Sequence, residues 1–349
     1  MYDILIVGAG PAGCRVAERV SEEGYDILVV EEHSSIGKPV QCTGLVSSRI
    51  KKFADVDHVI VNKIKKARFC SGKEFFEVKS KDDAYVIDRE MFDKSLYQGA
   101  VELGANFKMH TKFIDYNFKN KRISTSKGDY ESKILIGADG PNSSVAKKTG
   151  IEVPKDILFA AQVRLKSKLN SDTAELWFDV VPEFFAWVVP ENDNIARVGL
   201  MNNKNPMTYL EKFIKRRFGR PVIFDRTGDS IRYGLIKKSV KNNVLVVGDA
   251  ACQIKPFSAG GLIYGQIGAN HAARACIKAL EKNDFSEKFF VKNYDREWKK
   301  ELSKPIKQGV MFKRLFSKFG DKPLFFKMIR ELKITSLSSF LDMDFLGKD

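Results

Sequence analysis

The chain has 349 residues, of which 44% are apolar and 26 are phenylalanine. This length and composition allow a large hydrophobic core and exclude an intrinsically disordered chain. No run of uncharged apolar residues approaches the roughly 18 that indicate a membrane-spanning helix, so we expect a soluble or peripheral protein.

The chain is basic, with a net charge of +15 from 59 lysines and arginines against 44 aspartates and glutamates. This charge is typical either of a solvated, lysine-rich surface or of a protein with an anionic partner. The sequence has no zinc finger, no RNP-like motif and no basic helix with heptads, so nucleic acid is not the expected partner. An anionic membrane surface suits the many phenylalanines better.

Cysteine and histidine usage indicates a cytoplasmic protein without a metal site. The five cysteines are scattered, odd in number and without a Cys-x-x-Cys pair, which is typical of reduced thiols. The four histidines are far apart, which argues against bound zinc. A strand pattern begins within two residues of Met1, with no basic stretch or cleavage site before it, so we expect no secretion signal.

The first 30 residues have the pattern of a strand, a helix and a second strand. Residues 2–7 are typical of a buried strand, 11–23 of a helix, and 26–30 of another strand. Together they predict a βαβ unit.

Three glycines lie between the first strand and the helix, at Gly8, Gly10 and Gly13, and Glu31 ends the second strand. This arrangement is typical of dinucleotide binding. In that interpretation Gly8 makes the tight turn, Gly10 lets the backbone approach a pyrophosphate, and Gly13 lets the helix pack on the strand. Glu31 is then expected to bind ribose hydroxyls.

The middle of the chain changes character. Residues 89–103 predict a helix, and a hairpin then leads into a buried strand at 134–136. Residues 157–235 alternate between apolar and polar, as in an antiparallel sheet, and 244–247 return to a buried strand. After about residue 285 the pattern is helical, basic and rich in phenylalanine.

The stretch "VVGDAACQIKPFSAGGLIYGQ", residues 246–266, predicts a second ligand-binding turn. Gly248 and Asp249 follow a buried strand, and the pair Gly260-Gly261 precedes a helical pattern. Asp249 can accept hydrogen bonds from hydroxyls. Glycines at a helix start let backbone N–H groups approach a ligand that carries negative charge.

Four motifs occur in order along the chain: the glycine turn with Glu31, Asp-Arg-x-x-Phe-Asp at 88–93, Gly-Ala-Asp-Gly at 137–140, and the turn at 248–261. This order resembles the FAD-dependent oxidoreductases of the aromatic-hydroxylase superfamily. Within that superfamily the chain is similar to the geranylgeranyl reductase family, the archaeal prenyl lipid reductases. The similarity lies in "GKPVQCTGL" at 37–45 and "FFAWVVPENDNIARVGL" at 184–200, and Ala259 replaces a glycine of the family.

The resemblance implies an α/β fold: a Rossmann-type, aromatic-hydroxylase-like FAD-binding domain, an inserted antiparallel β substrate domain and a helical C-terminus. The expected FAD-binding domain is discontinuous and comprises residues 1–60, 85–155 and 240–285. The expected substrate domain comprises 61–84 and 156–239, and the C-terminal helical segment 286–349.

The resemblance also implies FAD contacts. Asp249 is expected at the ribityl or pyrophosphate region, and Gly261 and Leu262 are expected to present N–H groups to the pyrimidine edge of the flavin. The residues that match the family's FAD contacts are Gly8, Gly10, Ala12, Gly13, Glu31, Cys42, Thr43, Gly44, Arg89, Phe113, Asp249, Gly261 and Leu262.

The activity implied by the resemblance is saturation of double bonds in prenyl chains of isoprenoid lipids, by hydride transfer from reduced FAD. Cys42 is either the proton donor or a small, inert residue. Phe184, Phe185 and Trp187 either line the site for the hydrocarbon tail or belong to the core of the sheet. Because the single glycine-rich turn is assigned to FAD, NAD(P)H must bind transiently, or a reduced ferredoxin-like protein must supply the electrons.

Two other functions remain open on the same scaffold. The first is a flavin-dependent monooxygenase of an apolar substrate; a halogenase is disfavoured because Phe185 stands where halogenases have the first tryptophan of Trp-x-Trp-x-Ile-Pro. The second is a non-catalytic binder that keeps FAD for structure.

Residues 307–333 predict a basic, phenylalanine-rich helix that either lies on an anionic membrane or packs on the core. Met311, Phe312, Leu315 and Phe316 fall on one helical face, with Lys313, Arg314 and Lys318 nearby. In the membrane interpretation the protein is peripheral on the inner face of the cell membrane.

Overall fold

The structure of the protein is a computed structural model that describes residues 1–182, 184–318, 326, 327, 330, 331 and 344. The strands in these residues are β1 (Tyr2–Val7), β2 (Ile27–Val30), β3 (Leu45–Ser47), β4 (Ile60–Ser71), β5 (Glu74–Ile87), β6 (Asn106–Lys108), β7 (Phe113–Asn117), β8 (Arg122–Thr125), β9 (Gly128–Gly137), β10 (Ile157–Lys166), β11 (Thr173–Trp177), β12 (Ala186–Asn192), β13 (Ile195–Asn202), β14 (Ile223–Arg232), β15 (Val240–Lys241) and β16 (Val244–Val246). The α-helices are α1 (Pro11–Ser21), α2 (Arg89–Glu102), α3 (Ser144–Thr149), α4 (Pro206–Phe218), α5 (Leu262–Lys282), α6 (Glu287–Phe290) and α7 (Arg296–Lys318).

The chain forms two units, each made of three segments. The first unit comprises Met1–Lys38, Glu90–Asp156 and Arg232–Lys307. The second comprises Pro39–Arg89, Ile157–Ile231 and the chain from Gln308 onward. Both units are discontinuous in sequence, and their boundaries differ in places from those of the predicted domains. The assignment of FAD and substrate to separate domains stays a prediction.

The first unit is built on a mostly parallel sheet in the order β15-β16-β9-β1-β2-β6, with the hairpin β7-β8 attached through β9. Strands β16, β9, β1, β2 and β6 run parallel to one another, whereas β15 pairs antiparallel with β16. The residues of β1, β2, β9 and β16 are fully buried over most of their length, which explains the continuous apolar runs in the sequence. Helix α1 begins with Pro11, whose fixed φ angle and missing N–H suit a first helical position.

The second unit is built on a mostly antiparallel sheet in the order β14-β10-β13-β12-β11-β4-β5-β3, in which β11 and β4 are parallel. Because side chains alternate along strands, the sheet has two distinct faces. One carries Arg68 paired with Glu175, and we call it the polar face. The other carries Phe69 paired with Leu176, and Leu176 paired with Trp187, and we call it the aromatic face.

Residues 39–60 and 85–89 lie in the second unit, whereas the sequence predicted them in the FAD-binding domain. The reason is strand pairing: β3 pairs antiparallel with β5, and β5 continues to Ile87. A short stretch of sequence around 45–47 gives no sign of a partner that lies some forty residues later.

Residues 232–239 and 286–307 lie in the first unit, whereas the sequence predicted them in the substrate domain and in a separate C-terminal segment. Buried hydrogen bonds hold them there. The Tyr294 hydroxyl donates to the Val246 carbonyl at 2.6 Å, and the Trp298 indole N–H donates to the Ser239 hydroxyl at 3.0 Å.

The predicted membrane-binding face of α7 requires a correction. Lys313 is only 4% exposed, with its Nζ 5.5 Å from the centre of the Phe184 ring, and Phe316 is 1% exposed. These two side chains pack inside the second unit, whereas Met311 and Leu315 are exposed. The part of the predicted segment after residue 318 lies outside the described residues, apart from 326, 327, 330 and 331.

In the described part of the chain, none of the helices combines the length and hydrophobicity that a membrane span requires.

Candidate functional site

The glycine turn after β1 is sterically demanding at two of its three glycines. Gly8 has a φ of +100°, and a β-carbon there would lie 2.4 Å from the Ala138 carbonyl oxygen. A β-carbon on Gly13 would lie 2.1 Å from the Gly8 carbonyl oxygen. Both contacts are with backbone, which cannot move away, so only glycine fits either position.

Gly10 differs, because a β-carbon there would meet no protein atom within 4 Å. Gly10 is the N-cap of α1, which has no side-chain cap and no acidic residue in its first turn. The first turn therefore presents backbone N–H groups and the positive end of the helix dipole to open space. This arrangement fits the pyrophosphate of the predicted FAD.

Glu31 lies directly beside the glycine turn. Its Oε2 accepts a hydrogen bond from the Ala9 N–H at 2.8 Å, and its Oε1 accepts one from the His33 N–H at 2.9 Å. The Glu31 carbonyl accepts from the Thr111 N–H at 2.7 Å, which brings the start of β7 and Phe113 to the same edge of the sheet. A carboxylate held here has remaining lone pairs for ribose hydroxyls.

The turn at Gly248 and Asp249 meets the start of α1 and the start of α5. Gly248 has a φ of +65°, and a β-carbon there would lie 2.9 Å from the β-carbon of Ala12. A β-carbon on Gly261 would lie 2.6 Å from Asp249 Oδ1, so the carboxylate points at the N-cap of α5. The first turn of α5, from Leu262, has no side-chain cap and no acidic residue. Two uncapped helix starts thus converge on one place, as a bound anionic dinucleotide requires.

At position 259, in the loop before α5, alanine adopts a conformation that is unfavourable for it. Ala259 has a φ of +58°, the left-handed conformation that favours glycine. The loop is closed by hydrogen bonds from the Ala259 N–H to the Lys255 carbonyl at 2.8 Å and from the Lys255 N–H to the Gly260 carbonyl at 3.1 Å. The Lys255 side chain is 7% exposed and fills the space beside Gly260. The sequence had given no sign of this buried lysine.

A buried polar clamp joins α1 to α5. The Arg15 guanidinium donates to Gln266 Oε1 at 2.8 Å, and Gln266 Nε2 donates to the Pro11 carbonyl at 3.0 Å. Arg15 is 3% exposed and Gln266 fully buried. This clamp fixes the two helix starts relative to each other, and sequence reasoning missed it because its partners are 251 residues apart.

The motif Gly137-Ala-Asp-Gly140 has a structural explanation in α3. Asp139 Oδ1 accepts from the Ser143 hydroxyl at 2.6 Å, and Oδ2 accepts from the Val145 N–H at 3.0 Å. Ser143 in turn caps α3 by accepting from the Ala146 N–H. Burial raises the pKa of Asp139, while these donors oppose that rise.

The loop with Cys42, Thr43 and Gly44 lies in the second unit and is hydrogen-bonded to the aromatic face. Gln162 Oε1 accepts from the Thr43 hydroxyl at 2.6 Å and from the Trp187 indole N–H at 3.2 Å. The Gly44 N–H donates to Cys42 Sγ at 3.3 Å. The loop and Trp187, which the sequence predicted as site residues, are thus joined through Gln162, which it did not.

An arginine–glutamate group holds the other side of this loop. Arg197 Nη1 donates to the carbonyls of Thr43 at 2.7 Å and Ile87 at 3.0 Å, and its Nε donates to Glu191 Oε1 at 2.6 Å. Glu191 also accepts from Arg164. Burial raises the pKa of Glu191, but the two arginines outweigh it and the pKa is lowered from its ordinary value.

The predicted tail-lining residues are buried in an aromatic cluster. Phe184, Phe185 and Trp187 are 1%, 7% and 8% exposed. The Phe184 and Phe185 rings stack with their centres 4.3 Å apart. Gly199, inside the return strand β13, leaves room for the Trp187 ring, because a β-carbon there would lie 2.5 Å from Trp187 Cζ2.

The predicted site residues thus fall into two groups. Gly8, Gly10, Ala12, Gly13, Glu31, Phe113, Asp249, Gly261 and Leu262 belong to the first unit. Cys42, Thr43, Gly44, Arg89, Phe185 and Trp187 belong to the second. Contact of either group with FAD or substrate stays a prediction.

Comparisons with known proteins identify a family to which this chain belongs and several proteins to which it is similar. The profile of the FAD binding domain family matches residues 1–208. The chain is similar to an uncharacterised protein of Methanocaldococcus jannaschii, with 31% identity over 98% of this chain and 92% of that protein. It is similar to the digeranylgeranylglycerophospholipid reductase of Methanosarcina acetivorans, with 28% identity over 97% of this chain and 91% of that protein. A solved structure, a geranylgeranyl bacteriochlorophyll reductase-like protein of Thermoplasma acidophilum, has a TM-score of 0.90 at 24% identity and covers 99% of this chain and 94% of its own.

Proposed function

Because this chain belongs to the FAD binding domain family, we propose that it is an FAD-dependent reductase that saturates double bonds in the geranylgeranyl chains of isoprenoid lipids. The observation that carries the proposal is the similarity to a digeranylgeranylglycerophospholipid reductase along nearly the whole of both chains. A relative that shared only the nucleotide-binding part would not support the same substrate class.

FAD is the cofactor of the first unit in this proposal. Gly10 and the first turn of α1 would hold its pyrophosphate, because the space beside the glycine is open. Glu31 would bind its ribose hydroxyls, and Asp249 would bind its ribityl or pyrophosphate region. In its reduced form the bound cofactor supplies a hydride for the double bond.

The start of α5 favours negative charge on the ligand that it contacts. Gly261 and Leu262 present backbone N–H groups there, and no acidic residue lies in the first turn to oppose the helix dipole. Such a helix start stabilises an anionic group by about 1 kcal/mol or more when it is partly buried.

The hydrocarbon tail binds on the aromatic face of the second unit in this proposal. The cluster of Phe184, Phe185 and Trp187 is apolar, apart from the indole N–H, which Gln162 satisfies. At roughly 0.8 kcal/mol per buried CH₂, a C20 tail offers on the order of 10 kcal/mol before ordering costs.

Cys42 is our candidate for the group that delivers the proton. Among the five cysteines it is the one whose side chain is not buried. The Gly44 N–H donates to its sulfur, which fixes the thiol at a loop held by Gln162 and Arg197. The alternative, that Cys42 only fills space, predicts full activity for Cys42→Ala.

The electron donor in this proposal is NAD(P)H in a transient complex, or a reduced ferredoxin-like protein. Contact with the membrane is also part of the proposal, through the exposed Met311, Arg314, Leu315 and Lys318 of α7. That contact keeps the protein at the surface where its lipid substrate resides.

The test is anaerobic incubation of the dithionite-reduced, FAD-loaded protein with vesicles that contain digeranylgeranylglycerophospholipid, followed by mass spectrometry of the lipids. We expect two hydrogen atoms to be added per reduced double bond, and no change with Gly10→Val, which cannot bind FAD. Unchanged lipid would refute the reductase. In a parallel incubation with air, a hydroxylated product formed with oxygen uptake would indicate a monooxygenase instead.

A further inference from the structure

A cavity of about 320 Å³ lies on the polar face of the second unit, and none of the predicted FAD-binding or tail-binding residues lines it. Arg68 of β4, Arg217 of α4, and Lys168 and Asn170 of the loop between β10 and β11 line it, together with Glu175. The volume is at the lower end of the range for small-molecule sites. Three cationic side chains at one small cavity indicate an anionic ligand.

The carboxylate of Glu175 is paired with Arg217, which balances its negative charge. Arg217 donates to it through Nε at 3.1 Å and Nη2 at 2.8 Å, and the Trp177 indole N–H donates at 2.8 Å. The Glu175 side chain is 7% exposed. Arg217 keeps its Nη1 group for another acceptor, because a guanidinium has five N–H donors.

Arg68 is arranged in the same way. Its Nε and Nη2 both donate to Glu77 Oε1, at 2.9 and 2.6 Å, and its guanidinium lies 4.8 Å from the centre of the exposed Phe75 ring. These contacts fix the plane of the guanidinium. Within the described residues its Nη1 group has no hydrogen-bond acceptor.

Lys168 supplies the net charge of the cavity. It is exposed, and no carboxylate of the described residues lies within ion-pair distance of it. Each arginine is neutralised by its glutamate, so the lysine leaves the cavity with one uncompensated positive charge. The donors of the cavity suit an oxyanion with several oxygens better than a single carboxylate. These donors are the Nη1 groups of Arg68 and Arg217, the Lys168 ammonium and the Asn170 amide.

We propose that this cavity binds a phosphate-class oxyanion, either the phosphate of a glycerophospholipid head group or phosphate free in solution. The lipid source rests on the proposed function, whereas binding of free phosphate does not. The cavity is on the opposite face of the sheet from Trp187 and Gln162, so it is a separate site from the predicted tail-binding cluster.

The test is isothermal titration of the FAD-loaded protein with inorganic phosphate at constant ionic strength, so that the cofactor site is already filled. We expect saturable binding near one per chain, weakened about tenfold by Lys168→Gln and by Arg68→Gln, since each removes a charge-assisted hydrogen bond. Arg217→Gln is not used, because it would leave Glu175 buried without its partner.

Lys212→Gln is the matched control, because Lys212 is exposed on α4, does not line the cavity and carries the same charge. Its phosphate affinity should stay within about twofold of the unmodified protein, as expected when only the general charge changes. Absence of saturable binding, or equal losses in Lys168→Gln and Lys212→Gln, overturns the proposal. Flavin absorbance and thermal unfolding of each variant establish that it is folded.

A second measurement, sedimentation with phosphatidylglycerol vesicles, distinguishes the two sources. If Lys168→Gln weakens vesicle binding as well as phosphate binding, the ligand is a lipid head group. If it weakens only phosphate binding, the ligand is an anion in solution. Neither measurement depends on turnover, so failure of the proposed reductase activity leaves the result unaffected.

Discussion

Asp249 and Gly261 approach so closely that a β-carbon on Gly261 would lie 2.6 Å from the Asp249 Oδ1 oxygen. We therefore expect Gly261→Ala to displace the carboxylate and to weaken FAD binding by at least about tenfold, the loss of roughly one charge-assisted hydrogen bond. Quenching of flavin fluorescence measures the affinity. Gly265→Ala is the control on the same helix, because a β-carbon there meets its nearest neighbour at an ordinary 3.7 Å. Equal affinities for the two variants would contradict the placement of FAD at this turn.

Substitution of Gly10 should affect FAD binding, whereas substitution of Gly13 should affect the stability of the fold. Gly10→Val should fold and lose FAD, because its side chain enters open space that the pyrophosphate needs. Gly13→Ala should destabilise the fold itself, because its β-carbon would lie 2.1 Å from backbone. Thermal unfolding without FAD separates the effects. We expect Gly10→Val to unfold at the temperature of the unmodified protein and Gly13→Ala to unfold at a lower temperature. A Gly10→Val protein that is still yellow after purification would show that it retains FAD and would contradict the expected loss of FAD binding.

Glu191 should stabilise the protein in a pH-dependent way. Its folded pKa is lowered, so its contribution is complete above its ordinary value of 4.5 and is lost as the pH falls through the lowered folded pKa. At pH 7 we expect Glu191→Gln to lower the free energy of unfolding by roughly 3 kcal/mol, because Arg164 and Arg197 lose their partner. Urea unfolding should show that this difference shrinks in acid. Glu152→Gln, at an exposed glutamate, should change stability little at either pH.

Cys42 should be the thiol that alkylates first in the native protein. Cys14, Cys70, Cys252 and Cys276 are buried. Burial raises the pKa of Cys70 and of Cys252 to about 12, so their thiolates are scarce at pH 8. Peptide mass spectrometry after brief treatment with iodoacetamide should find the label on Cys42, and Cys42→Ser should remain unlabelled. Equal labelling of Cys252 would show that its surroundings open in solution.

Binding of α7 to anionic membranes should depend on its exposed residues alone. We expect the double change Arg314→Glu and Lys318→Glu to reduce sedimentation with anionic vesicles at least tenfold, since each basic residue contributes about 1 kcal/mol. Lys147→Glu with Lys148→Glu on α3 alters the net charge equally and should have little effect. Binding should also weaken as salt rises. Equal binding to neutral and anionic vesicles, or to neither, would refute the membrane contact.

The elements that the sequence predicted well are those whose signals are local. The strand–helix–strand start, α2 and the buried strand β9 follow from short apolar periods, and the roles of Gly8 and Gly13 follow from spacing within one turn. The start of α5 was predictable for the same reason, since Gly260 and Gly261 adjoin it in sequence.

The features that could not be predicted depend on residues far apart in the chain. The bonds of Gln162 to Thr43 and Trp187 arise only when β10 and β12 flank β13. Lys313 is the clearest case: a lysine between apolar residues is typical of an exposed helix face, yet packing places its ammonium over the Phe184 ring. Periodicity reports which side of a helix is apolar, and it does not report how much neighbouring chain covers the other side.

The order of strands in the first unit also bears on how the protein is made. β1 is synthesised before β9 at Gly128–Gly137, which is one of its two neighbours in the sheet. β9 in turn pairs with β16 at Val244–Val246, which is synthesised later still. At ordinary translation rates the interval between completion of β9 and of β16 is roughly 5–20 s. During that time the nascent chain carries an apolar strand edge without its partner, while Ile157–Ile231 of the second unit is being synthesised. Unpaired edges of this kind are where chains associate wrongly, so the central sheet is most vulnerable before the chain is finished and not after.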